Sequence, residues 1–183
     1  MDHELTHDEI SAAFADFGVL TFSDDVIPAS ITNPVARRTL SVLGIPRTLT
    51  DAVILNPAKG RPDGFRTMAD IYQGPHRPDF DHLFYLGMFG RFFATFDGAS
   101  GSVFALEEDI RSTPLAENLY QFSVFLFLIQ NEIDSISPST TDADLVELED
   151  QLIARFLSIE SSSATVDEEL WRETIRDIFA ELD

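Results

Sequence analysis

The sequence predicts an α+β protein in which a central, largely antiparallel sheet is flanked by helices. Two observations support this class. Apolar residues alternate along the Phe-rich middle of the chain, and they recur with helical spacing on both sides of it. The chain has 183 residues, 44% of them hydrophobic, which is enough for one sizeable core. We therefore expect a single domain over residues 1–183, with residues 1–6 disordered and residues 143–183 forming its C-terminal helical part.

Two helices are predicted in the first third of the chain. Thr6 and Glu9 have the spacing of a capping box, which predicts a helix from about residue 7 to residue 18. Asn33-Pro34 supplies an N-cap and a proline at the first helical position, which predicts a second helix over 34–43, ended by Gly44.

The predicted sheet comes mainly from the middle of the chain. A turn sequence at 97–101 (D-G-A-S-G) separates two alternating segments and predicts a hairpin. Residues 57–81 are rich in Gly, Pro, Arg and Asp, and they predict a long surface loop with little regular structure. The predicted strands are 19–22, 53–55, 83–88, 91–96 and 102–106.

The last third is predicted to be helical. Thr113-Pro114 predicts the start of a long helix that continues to about residue 133. A polar linker over 135–141 follows, and two acidic amphipathic helices are predicted at about 143–159 and 166–182.

Charge limits the classes of partner. The chain carries 32 acidic and 12 basic residues, a formal charge of −20, which repels nucleic acid and anionic membranes and favours a basic partner. The charge is uneven: residues 132–183 contain 15 acids and 3 Arg, whereas residues 33–66 have a net charge of +4. A solvated acidic surface that only keeps the protein soluble is the alternative interpretation.

The chain has no Cys, so disulfides, thiolate metal sites and a cysteine nucleophile are excluded. We expect no signal peptide, because the N-terminus lacks a basic region followed by an apolar one. The apolar run at 124–129 is far shorter than the roughly 20 residues that span a bilayer. We therefore expect a cytoplasmic protein.

The segment His3-Glu4-Leu5-Thr6-His7 matches the zinc-protease pattern H-E-x-x-H. That pattern requires both His on one face of a helix, and the capping box places His3 before the helix begins. We therefore interpret the match as a coincidence and expect no metal site. Segment 98–102 lacks the last Gly of a nucleophile elbow, and no phosphate-binding Gly-rich motif is present. We expect neither catalytic residues nor a cofactor, and therefore not an enzyme.

Five segments in order resemble the SUKH superfamily, and most closely the SUKH immunity proteins common in actinobacteria. They are FGV (17–19), ITNPVARRTLSVLGIPRT (31–48), HLFYLGMFGRFFATFDGASGSVFAL (82–106), PLAENLYQFSVFLFLI (114–129) and ELWRETIRDI (169–178). The resemblance includes the Leu-Gly-Ile-Pro element at 43–46 and the hairpin pattern of Asp97, Gly101 and Val103. It covers about residues 14–180. Thr113-Pro114 departs from the small polar residues usual at that position.

The resemblance implies a SUKH-like fold and a non-catalytic immunity protein, an antitoxin that binds and neutralises a polymorphic toxin domain. Such toxins are often nucleases or deaminases, and an acidic inhibitor suits a basic toxin. Two alternatives remain open: an intracellular scaffold or regulator of the same fold, and a zinc-dependent hydrolase using the segment at 3–7. The sequence does not indicate the oligomeric state.

We place the predicted partner-binding patch at the end of the sheet. It comprises four acids on or beside the predicted hairpin: Asp97, Glu107, Glu108 and Asp109. A rival patch lies on the two C-terminal helices, where a solvated helix face is the commoner explanation. Its members are Glu147, Glu149, Asp150, Glu168 and Glu169.

Overall fold

The structure, a computed structural model, describes residues 4–57, 65–107, 112–137, 139–159 and 166–182. A six-stranded antiparallel sheet forms the centre, with its strands in chain order β3-β4-β5-β6-β7-β8. A separate two-stranded sheet pairs β1 with β2. The strands are β1 Val19–Leu20, β2 Ile45–Pro46, β3 Thr48–Thr50, β4 Val53–Leu55, β5 Leu83–Phe89, β6 Phe92–Asp97, β7 Val103–Leu106 and β8 Ser112–Ala116.

Helices surround this sheet. The second helix widens into a π-helical turn over Thr39–Leu43, and a 3₁₀ turn covers Pro78–Phe80. The α-helices are α1 His7–Ala13, α2 Pro34–Arg38, α3 Met68–Ile71, α4 Leu119–Ile133, α5 Asp142–Ile159 and α6 Glu168–Ala180. The fold is therefore an α+β single domain, as predicted.

The core is built around α4, which buries ten of its fifteen residues. Phe125 of α4 stacks on Phe156 of α5 with ring centroids 4.2 Å apart. Trp171 of α6 is fully buried, packs edge-on against both rings, and donates its indole N–H to the Leu115 carbonyl at 2.9 Å. The C-terminal helices thus share one core with the sheet, because their aromatic side chains fill the same space as those of α4.

The predicted turns and caps are confirmed where glycine or a short polar side chain is required. The capping box of Thr6 and Glu9 begins α1, and the Asn33 side chain accepts from the Ala36 N–H at the start of α2. Gly44 has φ 87° and Gly101 has φ 83°, a conformation that favours glycine. A side chain at Gly44 would also collide with Val19.

The predicted helix start at Thr113-Pro114 is wrong. These residues belong to β8, where Pro114 is paired with Phe104, and α4 begins after its N-cap, Asn118. Because β8 is an edge strand, a proline without an N–H is tolerated there. The residues immediately before the helix therefore extend the sheet by one strand, β8, which the sequence patterns did not predict, as they did not predict β2 and β3.

The predicted irregular loop over 57–81 is only partly correct. Residues 58–64 lie outside the described residues, but α3 and the 3₁₀ turn give regular structure to the second half. Met68 and Phe80 are buried and form a small apolar cluster with Leu106. Tyr72 packs edge-on against Phe80, with ring centroids 5.3 Å apart. This segment therefore covers one face of the sheet.

The prediction that residues 1–6 are disordered is wrong for the part that is described. Leu5 is only 9% exposed and joins the main core, and its backbone N–H donates to Tyr120 Oη at 2.8 Å. Thr6 caps α1. The segment is held because the apolar side chain directly before the helix cap is buried in the core and its backbone is hydrogen-bonded to Tyr120 of α4.

Candidate partner-binding surfaces

Asp97 builds the hairpin turn. One oxygen of its carboxylate accepts from the N–H groups of Ala99 and Ser100, at 2.8 and 2.6 Å. The other oxygen lies 3.2 Å from His82 Nε2, and the side chain is only 15% exposed. Its oxygens are thus already used to hold the turn, as is common for Asp at this position.

The turn itself is joined to the start of α2. Asn33 Nδ2 donates to the Ser100 carbonyl at 2.6 Å, and the Gly98 carbonyl accepts from the N–H groups of Thr32 and Asn33. This part of the hairpin is a structural junction between sheet and helix.

The predicted hairpin patch is not one cluster. Phe96 pairs with Val103 and Phe93 pairs with Leu106, so Asp97 and Glu107 lie at opposite ends of the β6–β7 pair. At about 3.3 Å per residue, that separation is on the order of 15 Å. Glu107 is half-buried, and Glu108 and Asp109 lie outside the described residues.

The rival patch contains an ion-pair cluster between α5 and α6 in which Glu149 is the buried member. Glu149 is 3% exposed, and both of its oxygens accept from Arg176, at 2.7 and 2.8 Å. Arg172 bridges Glu149 and Asp150 at 2.8 and 2.6 Å. Burial by itself would raise the pKa of Glu149, but the hydrogen bonds from Arg176 and Arg172 outweigh burial and lower the pKa. We call Glu149, Asp150, Arg172 and Arg176 the α5–α6 cluster, and its contacts join the two helices.

His7 of the H-E-x-x-H segment makes structural contacts. Its Nδ1 lies 2.8 Å from the Leu43 carbonyl, to which it donates, and its Nε2 is 3.2 Å from Ser11 Oγ. His3 lies outside the described residues. Within the described ranges, no three His, Asp or Glu side chains are arranged to hold a metal ion.

Two clefts lie at opposite ends of α4. The first, the N-end cleft, has a volume of about 820 Å³ and includes the exposed apolar side chains Val35 and Val42. Its charged rim is internally paired, because Arg38 lies 3.1 Å from Glu4. The buried amide of Gln121 lines it.

The second, the C-end cleft, has a volume of about 450 Å³ and lies where the C-terminal ends of α1, α4 and α6 meet the β3–β4 turn. Four exposed carboxylates surround it, and no basic residue does so within the described part of the chain. The residues that line it include Asp16, Phe17, Asp51, Gln130, Asp134, Glu181 and Leu182.

This acidic cleft could not be predicted from the sequence, because its residues are up to 170 positions apart in the chain. One local signal was present. Helix C-termini favour Lys, Arg or His, yet the last turns of α4 and α6 contain no basic residue and are followed by Asp134 and Glu181. An acid at that position is unfavourable for the helix alone.

An antiparallel sheet flanked by helices occurs in binding proteins as well as in enzymes. His7 and Asp97 make structural contacts in this fold. Comparison with family models identifies the class of protein, because the model of the SUKH-4 immunity proteins matches residues 5–177. The chain belongs to the SUKH-4 immunity protein family. The family supports an immunity role and implies binding of a cognate toxin.

Comparisons with curated proteins and with solved structures return no match. Among the helices that the structure describes, none combines the length and the apolar character needed to cross a membrane.

Proposed function

We propose that this protein is a non-catalytic immunity protein that neutralises a basic toxin domain, a nuclease or a deaminase, by binding to it. The proposal places this activity in the cytoplasm of the producing cell, with neither nucleic acid nor membrane as the partner. Membership of the SUKH-4 family supports the toxin-binding role. The charge of −20 supports a basic partner, because like charges repel nucleic acid and opposite charges accelerate association.

The observation that carries the proposal is that acidic side chains remain exposed without a basic partner. In the α5–α6 cluster, two carboxylates are matched by two guanidinium groups. Around the C-end cleft, four exposed carboxylates have no ion pair within the described residues. A surface of this kind complements a protein that is itself built to bind phosphate.

A binding and inhibition experiment tests this function. The purified chain is immobilised, the captured protein is identified, and that protein's nuclease or deaminase activity is measured with increasing amounts of the chain. We expect inhibition that is complete at stoichiometric addition, and association that slows as salt is raised from 50 to 500 mM, because steering is screened. Undiminished activity of the captured protein in the presence of excess chain would contradict the proposal.

A further inference from the structure

We propose that the C-end cleft is the docking site for a partner segment that carries an arginine beside an apolar side chain. This inference rests on the proposed function for the existence of the partner, and it names the chemistry by which that partner is recognised. Charge, an unpartnered buried acceptor and exposed apolar surface each point to this occupant.

The electrostatics of the C-end cleft favour a positively charged occupant. Asp16, Asp51, Asp134 and Glu181 all line the cleft and are exposed. Their existing contacts are with neutral groups: Glu181 Oε2 accepts from the Asp51 N–H at 3.0 Å, and Asp134 Oδ1 accepts from an amide. The C-terminal ends of α4 and α6 add the negative ends of two helix dipoles at the same place. A cation is therefore favoured in this cleft.

The amide of Gln130 lies in the wall of the cleft and has an unused acceptor. Gln130 is only 4% exposed, and its Nε2 donates to Asp134 Oδ1 at 2.8 Å. That contact fixes the orientation of the amide, because the carboxylate can accept only from the NH₂ group. The Oε1 atom has no hydrogen-bond partner among the described residues. A buried acceptor without a donor is costly, so a donor supplied by a ligand is favoured.

Exposed apolar surface lies beside these oxygens. Phe17 and Leu182 are each 41% exposed and line the cleft. Leu182 and Ile133 continue into a neighbouring depression of about 400 Å³ that Leu145 and Phe179 also line. An apolar side chain next to the cation would cover this surface, so the occupant must combine both properties.

Arginine suits the cleft better than lysine. Its guanidinium has five N–H donors in one plane and stacks on aromatic rings, whereas an ammonium group is a compact point charge. The cleft offers carboxylate acceptors from several chain segments and an exposed Phe ring at its edge, and the buried Gln130 amide lies in its wall. One guanidinium could donate to several of these acceptors at once.

A peptide titration tests the chemistry on the full chain. The probe is acetyl-Leu-Arg-Leu-amide, and its matched control replaces arginine with citrulline, which has nearly the same shape without the charge. Binding is followed by NMR through the side-chain amide signals of Gln130. We expect saturable shifts with the arginine peptide and about tenfold weaker binding of the citrulline peptide. Equal affinities, or the absence of any shift at Gln130, would overturn the proposal.

Paired variants separate the cleft from the overall acidic field. Asp16→Asn with Glu181→Gln removes two charges at the cleft and keeps oxygen acceptors there. Glu168→Gln with Glu169→Gln removes two charges at the opposite end of α6. We expect the cleft pair to weaken the arginine peptide at least fivefold and the control pair less than twofold, with melting temperatures recorded for both. If both pairs weaken binding of the arginine peptide equally, the peptide is attracted only by the overall charge of the protein and the proposal for the cleft is wrong.

The toxin domain captured in the binding experiment provides a second test of the cleft. Asp16→Lys with Glu181→Lys should weaken its binding at least thirtyfold, and the same reversals at Glu168 and Glu169 less than threefold. A toxin that is bound and inhibited with unchanged affinity by the cleft variant would overturn the cleft and leave the immunity function standing. Specific binding of the arginine peptide to a chain that inhibits no toxin would support the site and overturn the function.

Discussion

The α5–α6 cluster and the C-end cleft are both acidic, but their carboxylates have opposite surroundings. Glu149 is buried and is held by two arginines at 2.7 to 2.8 Å. Asp16 and Asp134 are exposed and have no arginine, lysine or histidine partner within the described ranges. The first arrangement joins two helices, and the second leaves its charge available to another molecule.

The same helix takes part in both regions. Arg172 and Arg176 lie on the face of α6 toward Glu149, whereas its last turn has no basic residue and is followed by Glu181. A count of acids along residues 132–183 does not distinguish the two. An acidic side chain therefore indicates a binding surface only where the fold leaves it without a basic partner, which a count of acids does not show.

The largest effect is expected in the core that supports both regions. Phe122 is fully buried and contacts the rings of Phe89 and Trp171. We expect Phe122→Ala to lower the free energy of unfolding by about 3–5 kcal/mol, because it leaves a cavity at the centre. Denaturant unfolding measures the loss, and an unchanged midpoint would show that Phe122 does not support the core.

A smaller loss of stability is expected in the α5–α6 cluster. Glu149→Gln should lower the free energy of unfolding by about 1–3 kcal/mol, because it removes charge-assisted hydrogen bonds while both arginines keep some access to water. Asp16→Asn is the matched control, with an expected change within about 0.5 kcal/mol. Similar losses of stability in the two variants would contradict the difference between the paired Glu149 and the exposed Asp16.

The stability difference between the native protein and Glu149→Gln should depend on pH. The folded protein lowers the pKa of Glu149 below its usual value of 4.5, so the carboxylate stabilises the fold above that pH. This contribution is lost as the pH falls through the lowered pKa. The difference between the two melting temperatures should therefore stay constant at neutral pH and shrink as the pH falls below 4.5. A difference that stays constant below that pH would contradict an ionised, paired Glu149.

The smallest effect is expected for the acids that follow β7. Reversing Glu107, Glu108 and Asp109 to Lys should slow association with the toxin by about two- to fivefold and weaken its salt dependence, because rim charges act mainly on the association rate. Stopped-flow kinetics at low and high salt measure this. A loss as large as that from the cleft reversals would restore these acids as the main binding surface.

Local sequence patterns predicted most of the elements. Some features depend only on neighbouring residues and could therefore be predicted from the sequence. They are the helix caps at Thr6 and Asn33, the helix end at Gly44 and the turn at Asp97. The helix start at Thr113-Pro114 was misplaced because proline fits both the first turn of a helix and an edge strand. Only the pairing of Pro114 with Phe104 shows which one forms.

The candidate surfaces were less predictable. Asp97 and Glu107 are ten positions apart and looked like neighbours, but the β6–β7 register separates them. Glu149 looked like a solvent-exposed acid of an amphipathic helix, yet Arg172 and Arg176 of α6 cover it. Each outcome depends on which element packs against which.

The α+β class, the single domain and the family could be inferred from the order of the residues, because periodicity and turn residues act over a few neighbouring positions, and the charge of −20 is a count of side chains. Which acids are neutralised and which are free depends on how the elements pack against one another. Asp16, Asp51, Asp134 and Glu181 come from four distant segments, and only the packing of α1, α4 and α6 against the β3–β4 turn brings them to one cleft. Charges interact through space over several ångströms, so their role is set by distance in the fold and not by order in the chain.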